Sequence, residues 1–244
     1  MILTRVHPGP SEQIDLDVAD SRDRLLELYR PPSATWLRLN LITSVSGSAA
    51  GSDGTSESLT NPADRKLLGV IRELADVVLI GAQSVRAEGF QLPRKARLAV
   101  VTRSGDLSGH RIAGPVEPGR LFVVCPASAA ERAASLSGNG LPGAEIIVVD
   151  SDDGSLTPRA ILDALHAHGL TSIVCEGGPN LAAQFAQAGL LDEVCLSTSP
   201  SLGGPSLPLL GSELAPIALD LSSLMIDEAS GLYARWAVRA ASAK

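Results

Sequence analysis

Ser172-Ile-Val-Cys-Glu-Gly-Gly-Pro-Asn-Leu-Ala-Ala-Gln-Phe185 joins a strand to a helix through two glycines. Ser172 to Cys175 reads as a short buried strand, and Asn180 onward as the start of an amphipathic helix. Without Cβ atoms, Gly177 and Gly178 let a ligand approach the backbone closely. Pro179 suits the first helical turn, where its missing N–H costs nothing. The free N–H groups and the positive dipole end of that helix then face the loop, and this makes an anion site, with phosphate the expected anion. A tight strand-to-helix turn without a ligand has the same pattern. Glu176 favours the site, because a carboxylate at the end of a buried strand has little packing value and much chemical value.

Composition narrows the class. A chain of 244 residues suits one large α/β domain, or at most two small ones. Hydrophobic residues make up 45% and aromatics 3%, so the core must be Val, Leu, Ile and Ala. The formal net charge of -7 argues against nucleic acid or an anionic membrane as partner. No apolar run approaches the roughly 18 residues that span a bilayer, and the N-terminus lacks a signal-peptide pattern. Cys125, Cys175 and Cys195 each sit in an apolar, strand-like run and read as small buried hydrophobes in a reducing compartment. The expected location is the cytoplasm, with no metal site.

Along the chain, residues 1–35 read as a polar lead-in, with a short helix at Ser21 to Tyr29 that Pro31-Pro32 ends. A single domain is expected over 36–244. Trp36 to Thr43 alternates apolar and polar side chains and predicts a first strand. Ser44 to Ser58 is rich in glycine and hydroxyls and reads either as a flexible loop or as a lid over a ligand. Asn61 can cap a helix with Pro62 at its first position. Val77 to Ile80 and Arg97 to Thr102 read as parallel strands, the first a continuous apolar run buried on both faces. Gly81 to Gly89 reads as a turn. Strand, helix, strand repeats through 121–149, and Leu156 to Gly169 is a helix. This alternation implies a mostly parallel central sheet flanked by helices, with ligands outside the carboxyl ends of the strands. Thr43, Gly81, Thr102 and Glu176 all fall there. Leu224 to Ala229 and Leu232 to Val238, separated by Ser230-Gly231, predict an antiparallel C-terminal hairpin.

Three motifs carry a family resemblance. Asp76-Val-Val-Leu-Ile-Gly-Ala-Gln-Ser-Val-Arg-Ala-Glu88, Cys175-Glu-Gly-Gly-Pro-Asn-Leu181 and Gly189-Leu-Leu-Asp-Glu-Val194 resemble the reductase domain of bacterial riboflavin biosynthesis. That family has the dihydrofolate-reductase-like α/β fold. The resemblance runs from about Trp36 to Val238. It implies NADPH-dependent reduction of 5-amino-6-(5-phosphoribosylamino)uracil, a homodimer, and a set of site residues. Gly177, Gly178, Pro179, Asn180, Leu181 and Ala182 would hold the cofactor phosphates. Ser84 would lie beside the nicotinamide half, Glu88 would touch the cofactor, and Ile42 and Ser58 would line it. Ser56, Arg72, Leu92 and Glu176 would meet the substrate, with Arg94 or Lys95 as a second cation for its phosphate. Each has a bland counterpart: Arg72 as a solvated helix charge, Ser84 as a turn residue, Glu88 as a local cap or salt bridge.

Two inferences come from the residues themselves. Arg103 and Ser104, at a strand end beside Thr102, suit the 2′-phosphate that separates NADPH from NADH, and a plain surface arginine fits the same pattern. Glu176 is the nearest group to orient or protonate the reacting nitrogen, since none of the four histidines falls in a motif. The chain also departs from the family: its Ser-Leu-Asp-Gly stands here as Ser44-Val-Ser-Gly47, so the acid is missing at Ser46. The sequence contains no zinc-deaminase motif. A pterin reductase on the same fold, or a non-catalytic NADPH-binding protein, are the alternatives.

Overall fold

The computed structural model describes residues 1–114, 116–139, 141–150, 155–211 and 213–239, and among these eleven strands join in one sheet. Of the expected 36–244 unit, residues 115, 140, 151–154, 212 and 240–244 lie outside the described residues. The strands are β1 (Ile2–His7), β2 (Glu12–Asp15), β3 (Trp36–Ser44), β4 (Val77–Gly81), β5 (Arg97–Val101), β6 (Leu121–Pro126), β7 (Glu145–Val149), β8 (Ser172–Cys175), β9 (Glu193–Ser199), β10 (Leu219–Asp227) and β11 (Leu232–Val238). The helices are α1 (Ser21–Tyr29), α2 (Pro62–Glu73), α3 (Ala82–Ala87), α4 (Ala130–Asn139), α5 (Pro158–Ala167) and α6 (Pro179–Gln187). The spatial order is β2-β1-β10-β11-β9-β3-β8-β4-β5-β6-β7. Every pairing from β9 to β7 is parallel, and every pairing from β2 to β9 is antiparallel.

The expected architecture is present, and the sheet explains the unbroken apolar runs. In β4, Val77 and Leu79 enter the core under α5 and α6, while Val78 and Ile80 enter the one under α1 and α2. A strand covered on both faces needs apolar side chains at every position. Asn61 caps α2 by accepting from the Asp64 N–H at 2.9 Å, with Pro62 at the first helical position. Because β8 inserts between β3 and β4, the carboxyl ends of these three strands lie side by side, which places Glu176 at the centre of that edge.

Two features differ from the sequence reading, and two more sharpen it. Residues 1–35 are more than a polar lead-in: β1 pairs with β10, β2 pairs with β1, and Leu3 is fully buried. β1 was not legible because the strand that anchors it to the sheet, β10, lies at the far end of the chain, and β2 joins the sheet only through β1. Gly81 to Gly89 contains the short helix α3 rather than a turn alone. The 44–58 segment is built of hydrogen-bonded turns, with Asp53 accepting from Thr55 N–H at 2.9 Å and from Ser58 Oγ at 2.6 Å. In β3, the polar position Arg38 is 2% exposed and paired with Glu193. The alternation there separates an apolar face, Leu37 and Leu39, from a buried polar one.

Candidate active site

The ladder between β4 and β8 continues into the glycine pair. Glu176 N–H donates to the Leu79 carbonyl at 3.0 Å, and Gly81 N–H to the Gly177 carbonyl at 2.8 Å. Gly177 has φ +90°, a left-handed value that L side chains rarely adopt, and the Gly177–Gly178 peptide is cis. A Cβ on Gly178 would lie 2.9 Å from Ser84 Oγ, and one on Gly177 would lie 3.4 Å from Leu41 Cδ2. The strand-end residues Gly81, Ser84, Gly177 and Gly178 are therefore brought together. α6 begins directly after them, with Pro179 in its first turn and no side chain capping its N-terminus. A loop not singled out from sequence crosses this point: Gly211 N–H donates to the Pro179 carbonyl at 3.0 Å, close against Asn180.

Arg72, on α2, meets Glu176 edge to edge. Its Nε and Nη2 each donate to a separate carboxylate oxygen at 2.7 Å. Such a bidentate fork is a strong, charge-assisted contact that also fixes the relative geometry of the two groups. The Glu176 side chain is 9% exposed and that of Arg72 22%. Burial works against the Arg72 charge, but the Glu176 hydrogen bonds and charge outweigh it and hold the guanidinium above its ordinary range. The ring of Phe90 lies under the guanidinium, 4.9 Å from Cζ to its centroid. Phe90 escaped the sequence reading because no linear pattern connects it to residue 72.

The remaining expected residues fall into two groups. Ser56 and Glu88 are joined: the Glu88 carboxylate accepts from Ser56 N–H and from Ser56 Oγ, both at 2.9 Å. Glu88 thus fastens the 44–58 loop to the end of α3. Ser58 is turned to Asp53, and its Oγ fills the space a Cβ on Gly51 would need. Ile42 sits on β3 opposite Ser197 of β9, and Leu92 is partly buried against the core. Thr102 is buried and its hydroxyl donates to the Asp106 carbonyl at 3.4 Å, while Ser104 Oγ accepts from Asp106 N–H at 3.3 Å. Arg103 and Arg94 are exposed and form no ion pair among the described residues. Lys95 is paired with Glu73 instead.

A second strand-end loop also belongs to this edge. After β9, residues 200–208 zip onto the loop after β3: Val45 N–H donates to Ser201 O at 2.9 Å and Ala49 N–H to Leu207 O at 2.8 Å. Ser46 Oγ accepts from Gly203 N–H at 3.2 Å. The two loops enclose an opening of about 300 Å³ lined by Ser46, Ser48, Gly203, Gly204 and Ser206 among others. The Gly203-Gly204 doublet at a strand end was the available signal for it. Among the described residues, no group of three or more His, Cys, Asp or Glu could hold a metal ion, and no helix is long and apolar enough to cross a membrane.

Residues 35–225 match the RibD C-terminal domain family. This chain belongs to that family. The riboflavin biosynthesis protein RibD of Mycobacterium tuberculosis is 30% identical over 175 residues, covering 71% of this chain and 44% of that protein. The chain spans about half the length of the curated relatives it matches. A pyrimidine reductase-like protein from Corynebacterium diphtheriae superposes with a TM-score of 0.70 at 23% identity, over 90% of this chain and 99% of that one. The deaminase and 5-amino-6-(5-phosphoribosylamino)uracil reductase of Thermotoga maritima gives 0.65 at 20%, over 84% of this chain and 57% of that one. At these identities the structures establish the RibD-type, dihydrofolate-reductase-like fold.

Proposed function

We propose that this chain is an NADPH-dependent reductase of riboflavin biosynthesis, acting on 5-amino-6-(5-phosphoribosylamino)uracil to give the ribitylamino product. The observation that carries the reading is the Arg72–Glu176 pair beside the glycine cradle at the parallel strand ends. Gly178 lets the backbone lie against Ser84, whose Oγ a Cβ there would meet at 2.9 Å, next to a helix N-terminus that no side chain caps, and this supports binding of a dinucleotide phosphate. Gly81, Ser84 and Gly177 to Ala182 would hold the cofactor, with Thr102, Arg103 and Ser104 at its 2′-phosphate. When bound, NADPH supplies a hydride to C1′ of the open-chain imine, and the nitrogen takes up a proton. Glu176 gives both oxygens to Arg72, which suits an acceptor that orients substrate N–H groups better than a proton donor. Arg72 Nη1 makes no hydrogen bond within the described residues and is left for the substrate phosphate. The 44–58 loop, fastened by Glu88, would exclude water.

The family match does not favour a pterin reductase. The net charge of -7 accords with a small-molecule substrate rather than nucleic acid, and the cytoplasm is the proposed location. A homodimer is proposed through the hairpin. Met225 and Tyr233 enter the core, so the alternating pairs Leu224–Ala234 and Ile226–Leu232 offer their apolar side chains on the opposite face. The test is NADPH oxidation by purified protein supplied with the phosphoribosylamino-uracil. Turnover with NADPH and not NADH is expected. No turnover, with NADPH still raising the melting temperature, would replace this reading by a binding role.

A further inference from the structure

We infer that Phe90 is a positioning residue that sets the plane of the Arg72 guanidinium for the substrate phosphate; this rests on the reductase reading above. The bidentate contact with Glu176 fixes one edge of the guanidinium. An edge contact alone leaves the planar group free to tilt about the line joining the two side chains. Phe90 restricts that freedom, because Arg72 Cζ stands over its ring at 4.9 Å from the centroid, within the range in which a ring's negative face attracts a cation. With one edge held by Glu176 and the ring of Phe90 against the group, the Nη1 side remains the direction in which Arg72 can meet an anion.

Phe90 is itself held. It is 8% exposed, its N–H donates to the Arg111 carbonyl at 3.0 Å, and its carbonyl accepts from Ala113 N–H at 3.0 Å. It also lies two residues beyond Glu88, which grips Ser56 of the loop. One short stretch, 88–90, therefore fastens the loop with one side chain and aims the arginine with another. A purely packing role for Phe90 would need apolar bulk but no aromatic face.

The test separates these. Phe90→Met keeps bulk and loses the ring; Phe90→Tyr keeps the ring. Steady-state kinetics are measured with the phosphorylated substrate and with its dephosphorylated form, alongside melting temperatures. Phe90→Met is expected to raise KM for the phosphorylated substrate on the order of tenfold, with kcat and the dephosphorylated form's KM little changed. Phe90→Tyr should restore it. In an Arg72→Lys background, where no planar group remains to aim, Phe90→Met should add nothing. Should Phe90→Met fail to fold, Phe90→Leu carries the same comparison. An unchanged KM, or an equal rise for both substrate forms, overturns the inference while leaving the reductase reading intact. Absence of turnover in the wild-type protein overturns that reading instead.

Discussion

Arg38 and Glu193 face each other at matched register on the adjacent parallel strands β3 and β9, each 2% exposed. Arg235 reaches the other oxygen of the same carboxylate at 2.7 Å. Both arginines also donate to the last carbonyls of α1, Arg38 to Tyr29 at 2.7 Å and Arg235 to Leu28. One buried carboxylate thus holds two cations that in turn cap the C-terminus of a helix.

Removing that carboxylate strands one buried charge, Arg38, and one half-buried, Arg235. Glu193→Ala should lower stability by about 3–5 kcal/mol, the usual loss when one partner of a buried pair is removed. Urea unfolding measures it. Asp220→Ala, which breaks the exposed pair with Arg239, is the control and should leave the midpoint nearly unchanged. Equal midpoints for the two variants would show that the Glu193 cluster contributes no stability.

Glu176→Gln keeps the shape of the site and removes the charge that Arg72 faces. Turnover should fall about a hundredfold, the scale on which misplaced groups cost rate, while NADPH affinity stays close to the wild-type value. Single-turnover kinetics and cofactor titration give the two numbers. A wild-type rate would take Glu176 out of the mechanism.

Acid should act through Asp227. Burial alone would raise this carboxyl, but donors outweigh it: Tyr233 Oη at 2.6 Å, Gly231 N–H and Asn61 Nδ2 at 2.7 Å, and Ala229 N–H at 2.9 Å. Its folded value is therefore below the ordinary one, so in the interval between them the unfolded chain binds more protons and stability rises with pH. The contribution is complete above roughly pH 4, the unfolded value, and is lost as pH falls through the folded one. Asp227→Asn should be less stable at neutral pH and show a flatter decline in acid. Parallel urea midpoints for variant and wild type from pH 7 to pH 3 would contradict this.

The thiols should be inert. Burial pushes Cys175 and Cys195 up to about 12 and raises Cys125 above its ordinary value. A thiol-specific chromogenic reagent at pH 8 should find almost no fast-reacting cysteine in the folded protein and three after denaturation. Rapid native labelling of even one would mean that its strand opens.

What was legible in the sequence was whatever local spacing encodes. β4 was readable because cover on both faces leaves Val77 to Ile80 apolar without a break. Glu176 and the glycine pair were readable because a strand end, two glycines and Pro179 occur in one short stretch. Arg38 was not, since a buried charge and a solvated one look alike in a period-two pattern. α3 was missed because six residues are too few to show helical periodicity. The partners Ser56 with Glu88 and Arg72 with Phe90 meet only once the sheet has assembled, so their contact left no trace in sequence.

The pairing of β1 with β10 has a bearing on how the polypeptide is made. Ile2 N–H donates to the side chain of Glu228, 226 positions downstream, and the edge it belongs to cannot close until that distant segment has left the ribosome. Until then the apolar side of Ile2–His7 has no sheet to join. Such long-range pairing slows folding and leaves nascent strands open to the wrong partners. Synthesis of this protein should therefore lean on chaperones to shield Ile2–His7 until β10 has emerged.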